Sequence, residues 1–142
     1  MKLMINLLFL EMKFAVGCGT KCICVCYFET KQLFWVSKHI KKPLKSTVTC
    51  IDWHPDSSIL ACGGTDYKCR IFNAHIDEAD GPTTKNNIWV TKGAQSECLL
   101  EYGSQSSGWV YSVSFSLNGN RLCWVGHDST IYLVDGESNA KE

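Results

Sequence analysis

Residues 47–73 read TVTCIDWHPDSSILACGGTDYKCRIFN, and residues 109–135 read WVYSVSFSLNGNRLCWVGHDSTIYLVD. The two stretches align without a gap, about sixty residues apart. Val48 meets Val110, Leu60 meets Leu122, Gly64 meets Gly126 and Asp66 meets Asp128; Ile51, Trp53 and Ile71 meet Val113, Phe115 and Leu133. Each copy reads as strand, polar turn, strand, tight turn, strand. Self-similarity of this kind marks a repeat architecture, in which one unit cannot bury its own faces and must stack on its neighbours.

Upstream, KFAVGCGTKCICVCYF (residues 13–28) runs parallel to ILACGGTDYKCRIF (residues 59–72) at an offset of 46. Lys13 to Cys18 is predicted as a strand, closed by a turn at Gly17, Gly19 and Thr20. Cys22 to Phe28 alternates with both sets apolar: Cys22, Cys24, Cys26 and Phe28 on one side, Ile23, Val25 and Tyr27 on the other. Such a strand is predicted to be covered on both faces. Leu33 to Lys38 follows after a polar turn. In the repeat itself, Pro55 and Asp56 build the turn after Trp53, one by fixing φ and the other by bonding its own backbone. Residues 74–94, with Asp77, Glu78, Asp80, Gly81, Pro82 and Asn86-Asn87, break the rhythm and read as a long surface insertion. Cys98 to Tyr102 resumes as a strand. Allowing for the insertion, the period is about 40–45 residues, four strands to a unit. The fold class is therefore all-β.

Composition agrees. Apolar residues make up 45% and charged ones 20% of the 142 residues, which suits a packed domain. Net charge is zero, so nothing global draws the chain to nucleic acid or an anionic membrane. No apolar run reaches a membrane span. The opening MKLMINLLFL is short, lacks a small-residue cleavage site and is followed by Glu11 and Lys13, so it reads as a strand or lead-in and not as a secretion signal. Nine cysteines, mostly at strand positions among Ile, Val, Leu and Phe, are odd in number. They read as reduced core residues of a cytosolic protein, because a free thiol packs like a small hydrophobe.

The pattern V-x-x-φ-x-W/F, then L-A/C-x-x-G-x-D, then I/L-F/V resembles WD40 repeats. WVSKHIKKPLKSTVTCIDWHPDSSILACGGTDYKCRIFNAHI (residues 35–76), SGWVYSVSFSLNGNRLCWVGHDSTI (residues 107–131) and KFAVGCG with CVCYFE upstream resemble more specifically the WD40 subunit family, subunit 1, of the actin-related protein 2/3 complex. The resemblance covers roughly Leu10 to Asp135. It implies a seven-bladed β-propeller of which this chain supplies about three four-stranded antiparallel blades, not closed. The implied organisation is an apolar lead-in over 1–10, a partial blade over 11–45, a blade over 46–107 with its insertion at 74–94, and a partial blade with a tail over 108–142. The implied role is a non-catalytic scaffold in actin binding and nucleation of branched filaments, in the cytoplasm at the actin cytoskeleton. The implied partners are the other subunits, the actin filament and acidic nucleation-promoting activators; no cofactor, nucleic acid or membrane is expected. The chain departs from the repeat ideal. Asn73-Ala74 and Val134-Asp135 replace the terminal Trp-Asp, the usual Gly-His is absent near Leu44 and Ser106, and Thr20 stands where the first blade would carry its Asp. Two other readings stay open: a WD40 adaptor of another kind, such as a ubiquitin-ligase substrate receptor, and a small thiol-rich metal-binding protein.

Individual residues carry little catalytic promise. Cys22, Cys24 and Cys26 share one strand face but spread along it by about 6–7 Å per step, whereas zinc thiolates converge from loops. His54, Asp56 and Ser57 are neighbours on one tight turn and lack the convergence of a nucleophile, base and orienter. Asp66 and Asp128 are expected to brace the turns they occupy. Lys38, His39, Lys41, Lys42 and Lys45 concentrate positive charge in one connection and are the candidate contact with an acidic partner. Trp89, inside the polar insertion, reads either as an exposed interface anchor or as packing on its own blade. Trp35, Trp53, Trp109 and Trp124 read as core.

Overall fold

The computed structural model describes residues 4–7, 12–82, 87–89, 94–103, 106 and 108–139. Three antiparallel sheets follow one another along the chain, each a meander. The first is β1 (Met4–Leu7), β2 (Lys13–Cys18), β3 (Cys22–Glu29) and β4 (Phe34–Ile40). The second is β5 (Val48–Trp53), β6 (Ile59–Gly64), β7 (Cys69–Asn73) and β8 (Cys98–Tyr102), with a short helix α1 (Asp77–Asp80) between its last two strands. The third is β9 (Val110–Phe115), β10 (Arg121–Gly126) and β11 (Ile131–Asp135), followed by α2 (Gly136–Asn139). β5 packs against β1 and β2, and β9 against β5 and β6. The first strands of the three sheets thus run side by side along one edge of the stack. This is a partial β-propeller, an open arc of three sheets.

Two cores form, one at each seam. Between the first and second sheets lie Ile23, Val25, Ile40, Val48, Leu60 and Phe72. Between the second and third lie Ile59, Ala61, Ile71, Val110, Leu122 and Trp124. Consecutive residues of β6 alternate between the two, Leu60 and Cys62 to one, Ile59 and Ala61 to the other, so all six residues of this strand are buried. The sheets meet closely because glycine stands at the same place in two of them. A Cβ on Gly17 would lie 2.6 Å from Val48 Cγ1, and one on Gly63 2.4 Å from Val110 Cγ1.

Polar groups cross the seams as well. Phe115 N donates to Asp52 Oδ2 at 2.8 Å, and the Thr49 hydroxyl donates to Val110 O. The buried Lys13 ammonium, on β2, donates to Ser57 O (3.0 Å), Ala74 O (2.8 Å) and Asp80 Oδ2 (2.5 Å), and sits 4.9 Å from the centre of the Trp53 ring.

Four expectations need correcting. β3 is covered fully only on the side of Ile23, Val25 and Tyr27; Cys24, Cys26 and Phe28 are half-buried because none of the described sheets lies against that side. The half-burial of Cys18, Cys98 and Cys123 likewise leaves only Cys22, Cys50, Cys62 and Cys69 as core thiols. Trp35 and Trp109 are 49% and 48% exposed, whereas Trp53 and Trp124 are core. The stretch 74–94 begins as a packed segment, with Ala74 and Ile76 buried; residues 83–86 and 90–93 lie outside the described set, as do 1–3 and 8–10 of the lead-in.

Candidate interaction surface

The basic connection is built on three apolar pins. Ile40 at the end of β4, Leu44 and Val48 are buried. Between them Lys41, Lys42 and Lys45 are exposed. The lysines point outward because the pins take the inward places. Among the described residues, none of the ion pairs involves Lys41, Lys42 or Lys45. Lys38 and His39 differ from them in being strand residues of β4, which runs two residues further than the periodicity predicts. Lys38 turns toward the second sheet, lies 5.6 Å from the centre of the Tyr27 ring and reaches Glu78 Oε2 at 3.4 Å and Gln95 Oε1 at 3.3 Å. His39 is exposed on the opposite face of the strand. The structure therefore brings Lys41, Lys42 and Lys45 together, ties Lys38 internally and sets His39 apart.

Register places this connection among other features. Val48 is opposite Gly64, Cys69 is opposite both Gly63 and Tyr102, and Val110 is opposite Gly126. Residues 41–47, the turn 65–68, the segment leading into β9 and the turn 127–130 consequently share one end of the arc. That end holds a recess of about 240 Å³ lined by Tyr67, Ser106, Gly108, Trp109, Tyr111 and His127. The Tyr111 and His127 rings stand edge to face, 6.1 Å apart. Sequence reasoning missed the recess. Trp109 and Tyr111 begin a strand and carry no local sign that the groove beside them stays open.

The turn aspartates act differently from each other. Asp66 is gripped by the Arg70 fork, Nη1 to Oδ1 at 3.1 Å and Nη2 to Oδ2 at 2.8 Å, while Arg70 Nε donates to Glu101 Oε2 at 2.8 Å. Burial works against the Arg70 charge, yet Asp66 and Glu101 outweigh it and hold the guanidinium above its ordinary pKa. Asp128 does bond its own turn, accepting from Thr130 N at 3.2 Å, and also from the Tyr132 hydroxyl at 2.6 Å. The Tyr132 bond, with the turn amide, holds its carboxyl below the usual range.

Trp89 is corrected from a candidate surface anchor to a seam residue. It is 2% exposed, and its indole N–H donates to Gly119 O at 2.7 Å in the turn between β9 and β10. His54 Nε2 lies 3.0 Å from the same carbonyl, its Nδ1 lies 2.8 Å from Asp56 Oδ1, and its ring stands edge to face with Phe115 at 5.1 Å. Gly119 is obligatory here: its φ is +74°, and a Cβ would lie 2.1 Å from His54 Nε2. The His54–Asp56 pair thus clasps two sheets, and Ser57 contributes its backbone carbonyl to Lys13. Burial raises the thiol pKa of Cys22 and Cys50 to about 11 each, and it raises those of Cys62 and Cys69 as well. Among the described residues no group of three or more His, Cys, Asp or Glu side chains is placed to hold a metal ion.

Residues 35–73 and 96–135 match the family described as WD domain, G-beta repeat. Each matched unit takes in the last strand of one sheet and ends in the third strand of the next, β4 through β7 and β8 through β11, so the repeat straddles the seams. The chain is 50% identical over 131 residues to "Actin-related protein 2/3 complex subunit 1A-B" of Xenopus laevis, covering 92% of this chain and 35% of that protein. It is 42% identical over 124 residues to "Actin-related protein 2/3 complex subunit 1" of Schizosaccharomyces pombe (87% and 32%), and 41% identical over 131 residues to "Actin-related protein 2/3 complex subunit 1A" of Arabidopsis thaliana (88% and 32%). The chain spans about a third of the length of these relatives. The repeat matches cover more than half of the chain, and with the stacked meanders they make it a member of the WD40, or G-beta repeat, family.

Proposed function

We propose that this chain belongs to a non-catalytic scaffold subunit of the actin-related protein 2/3 complex, acting in the cytoplasm on the nucleation of branched actin filaments. The observation that supports it most is identity at half of the aligned positions over 92% of the chain with a protein named as a subunit of that complex. The mechanism is binding. Sheets packed against one another cannot bend independently, so the connections they carry are held at fixed places relative to one another. Lys41, Lys42 and Lys45 present three exposed cations at the same end of the arc as the aromatic recess. An acidic surface of another subunit, of the actin filament or of an acidic activator is the complement of such a rim. Nucleic acid and membrane do not enter, because the net charge is zero.

The test is co-purification of the tagged chain with actin-related proteins, alongside a Lys41→Glu, Lys42→Glu, Lys45→Glu variant. The tagged chain is expected to retain them. The triple reversal is expected to lower retention several-fold at low ionic strength, with the gap closing toward 1 M salt, where the screening length is about 3 Å. Failure of any actin-related protein to co-purify with the unmodified chain removes the reading. Retention that the reversal leaves unchanged at low salt returns the connection to a solvated link.

A further inference from the structure

The two seams end differently where their turns meet. The repeat aligns Tyr67, Trp109, Tyr111 and His127 with Lys21, Thr47, Thr49 and Thr65 one unit earlier. Lys21 and Tyr67 hold the same turn position, each with a left-handed backbone, φ 61° and 67°. The fold therefore asks for no ring at these four places, and the seam between the first and second sheets has none there. At the seam between the second and third sheets all four are rings. With Ser106 and Gly108 they line the recess of about 240 Å³.

The recess has a built shape. The Tyr111 and His127 rings stand at 79° to each other and so make two walls. Gly108 brings the chain against the second of them: its φ is +67°, and a Cβ there would lie 2.8 Å from His127 Cβ. Trp109 and Tyr111 are half exposed, so their rings are open to a ligand. Among the described residues the lining includes no aliphatic side chain and no carboxylate.

Ring faces of this kind receive either a cation or the rings of a proline-rich segment. Charge decides between the two. Lys41, Lys42 and Lys45 are exposed at the same end. Thr65 N donates to Thr47 O at 3.1 Å, and Lys45 and Tyr67 each lie two residues from that bond. A cationic ligand would enter an end that is already positive, whereas a neutral ring with acidic neighbours is drawn to it. We propose that the recess binds a proline-rich segment flanked by acidic residues, its prolines against Trp109, Tyr111 and Tyr67 and its carboxylates toward the three lysines. The charge half of this rests on the acidic-partner reading above. A polyproline helix has no internal backbone bonds, and the indole, phenol and imidazole edges of the recess are donors suited to its carbonyls. Extended by about 3.1 Å per residue, roughly six residues of it reach from the recess to Lys45.

Fluorescence anisotropy of the labelled peptide EEEPPPPEEE with the intact protein tests this. Replacing its prolines by alanine is expected to weaken binding about tenfold or more, and Trp109→Ala or Tyr111→Ala to do the same. The peptide comparison uses the unmodified protein and so holds even where a variant fails to fold. The Lys41→Glu, Lys42→Glu, Lys45→Glu variant is expected to bind more weakly at low salt while keeping its preference for proline over alanine. Equal binding of the two peptides to the unmodified protein overturns the proposal. So does displacement of the proline peptide by tetramethylammonium at matched ionic strength, which would make the recess a cation cage. Retention of actin-related proteins by a protein that does not discriminate the peptides removes the proline assignment and leaves the scaffold reading standing.

Discussion

A buried charge persists only where its donors or acceptors are engaged, because desolvation costs several kcal/mol per ion otherwise. Arg70 meets this with two carboxylates and Lys13 with one carboxylate, two carbonyls and a ring face. Asp56 shows the same logic for an anion. Burial opposes its charge, but His54, Ser58 N and Ser58 Oγ outweigh that and hold its carboxyl below the usual range. A carboxyl depressed in the folded state stabilises above its ordinary value near 3.9 and loses that contribution as pH falls below it. Asp56→Asn is expected to cost roughly 1–3 kcal/mol at pH 6, and the difference from the unmodified chain should shrink by pH 3 in urea unfolding. Parallel acid limbs for the two proteins would refute the assignment. Cysteine reactivity follows the thiolate fraction. Cys18, held below its ordinary value by a bond with Thr20, is expected to alkylate at pH 7.5 well before Cys50, Cys62 and Cys69, which burial pushes up. Complete alkylation in denaturant should count nine thiols. Early labelling of Cys62 or Cys69 in peptide mapping would contradict the burial described here.

At the scale of elements, α1 has four residues and no side-chain cap at its start, too little to stand alone. It is held by Asp80, whose Oδ2 accepts from Ile76 N at 2.8 Å and from Lys13 on the first sheet. Lys13→Met is expected to take the ammonium away from Asp80 and from two carbonyls and to release the segment. Limited proteolysis should then cut within residues 74–82 several times faster than in the unmodified chain, and equal rates would show that α1 is held by packing alone. The strands themselves were legible from alternation and turn chemistry: β2, β5, β8, β9 and the turns at Pro55 and Asp128 lie where the pattern predicts. β4 runs further, through His39 and Ile40, because Cys24 and Ile23 of β3 offer it partners that no local pattern reveals. The basic segment was legible as charge. Its division into a tethered Lys38 and outward Lys41, Lys42 and Lys45 depends on the three buried pins.

For the whole molecule, the second sheet is covered on both sides and the other two on one. Burying an apolar side chain contributes about 1.5–3 kcal/mol, and a domain's margin is about 5–15 kcal/mol. Two open faces bearing Trp35, Ile131 and Leu133 therefore forgo a contribution comparable to the whole margin. Expressed by itself, this stretch is expected to bury them by association, and its thermal midpoint to depend on concentration. Raising the chain from about 1 to 100 μM is expected to raise Tm by several degrees; a midpoint independent of concentration would show that the arc is stable as a monomer.

The sequence by itself determined the strands, the repeat, the all-β class and the family resemblance. These rest on alternation, turn residues and self-similarity, which act over a few residues or recur as a pattern. Tertiary structure alone decided which tryptophans are core. Trp53 and Trp35 occupy similar strand contexts, yet only the first has a sheet beyond it. It also decided that Trp89 reaches across to Gly119, that Lys13 is buried, and that Asp66 answers to Arg70. Each of these depends on which face finds a neighbour and on partners distant in the chain, and burial is a property of the pair of surfaces that meet, not of either strand's residues.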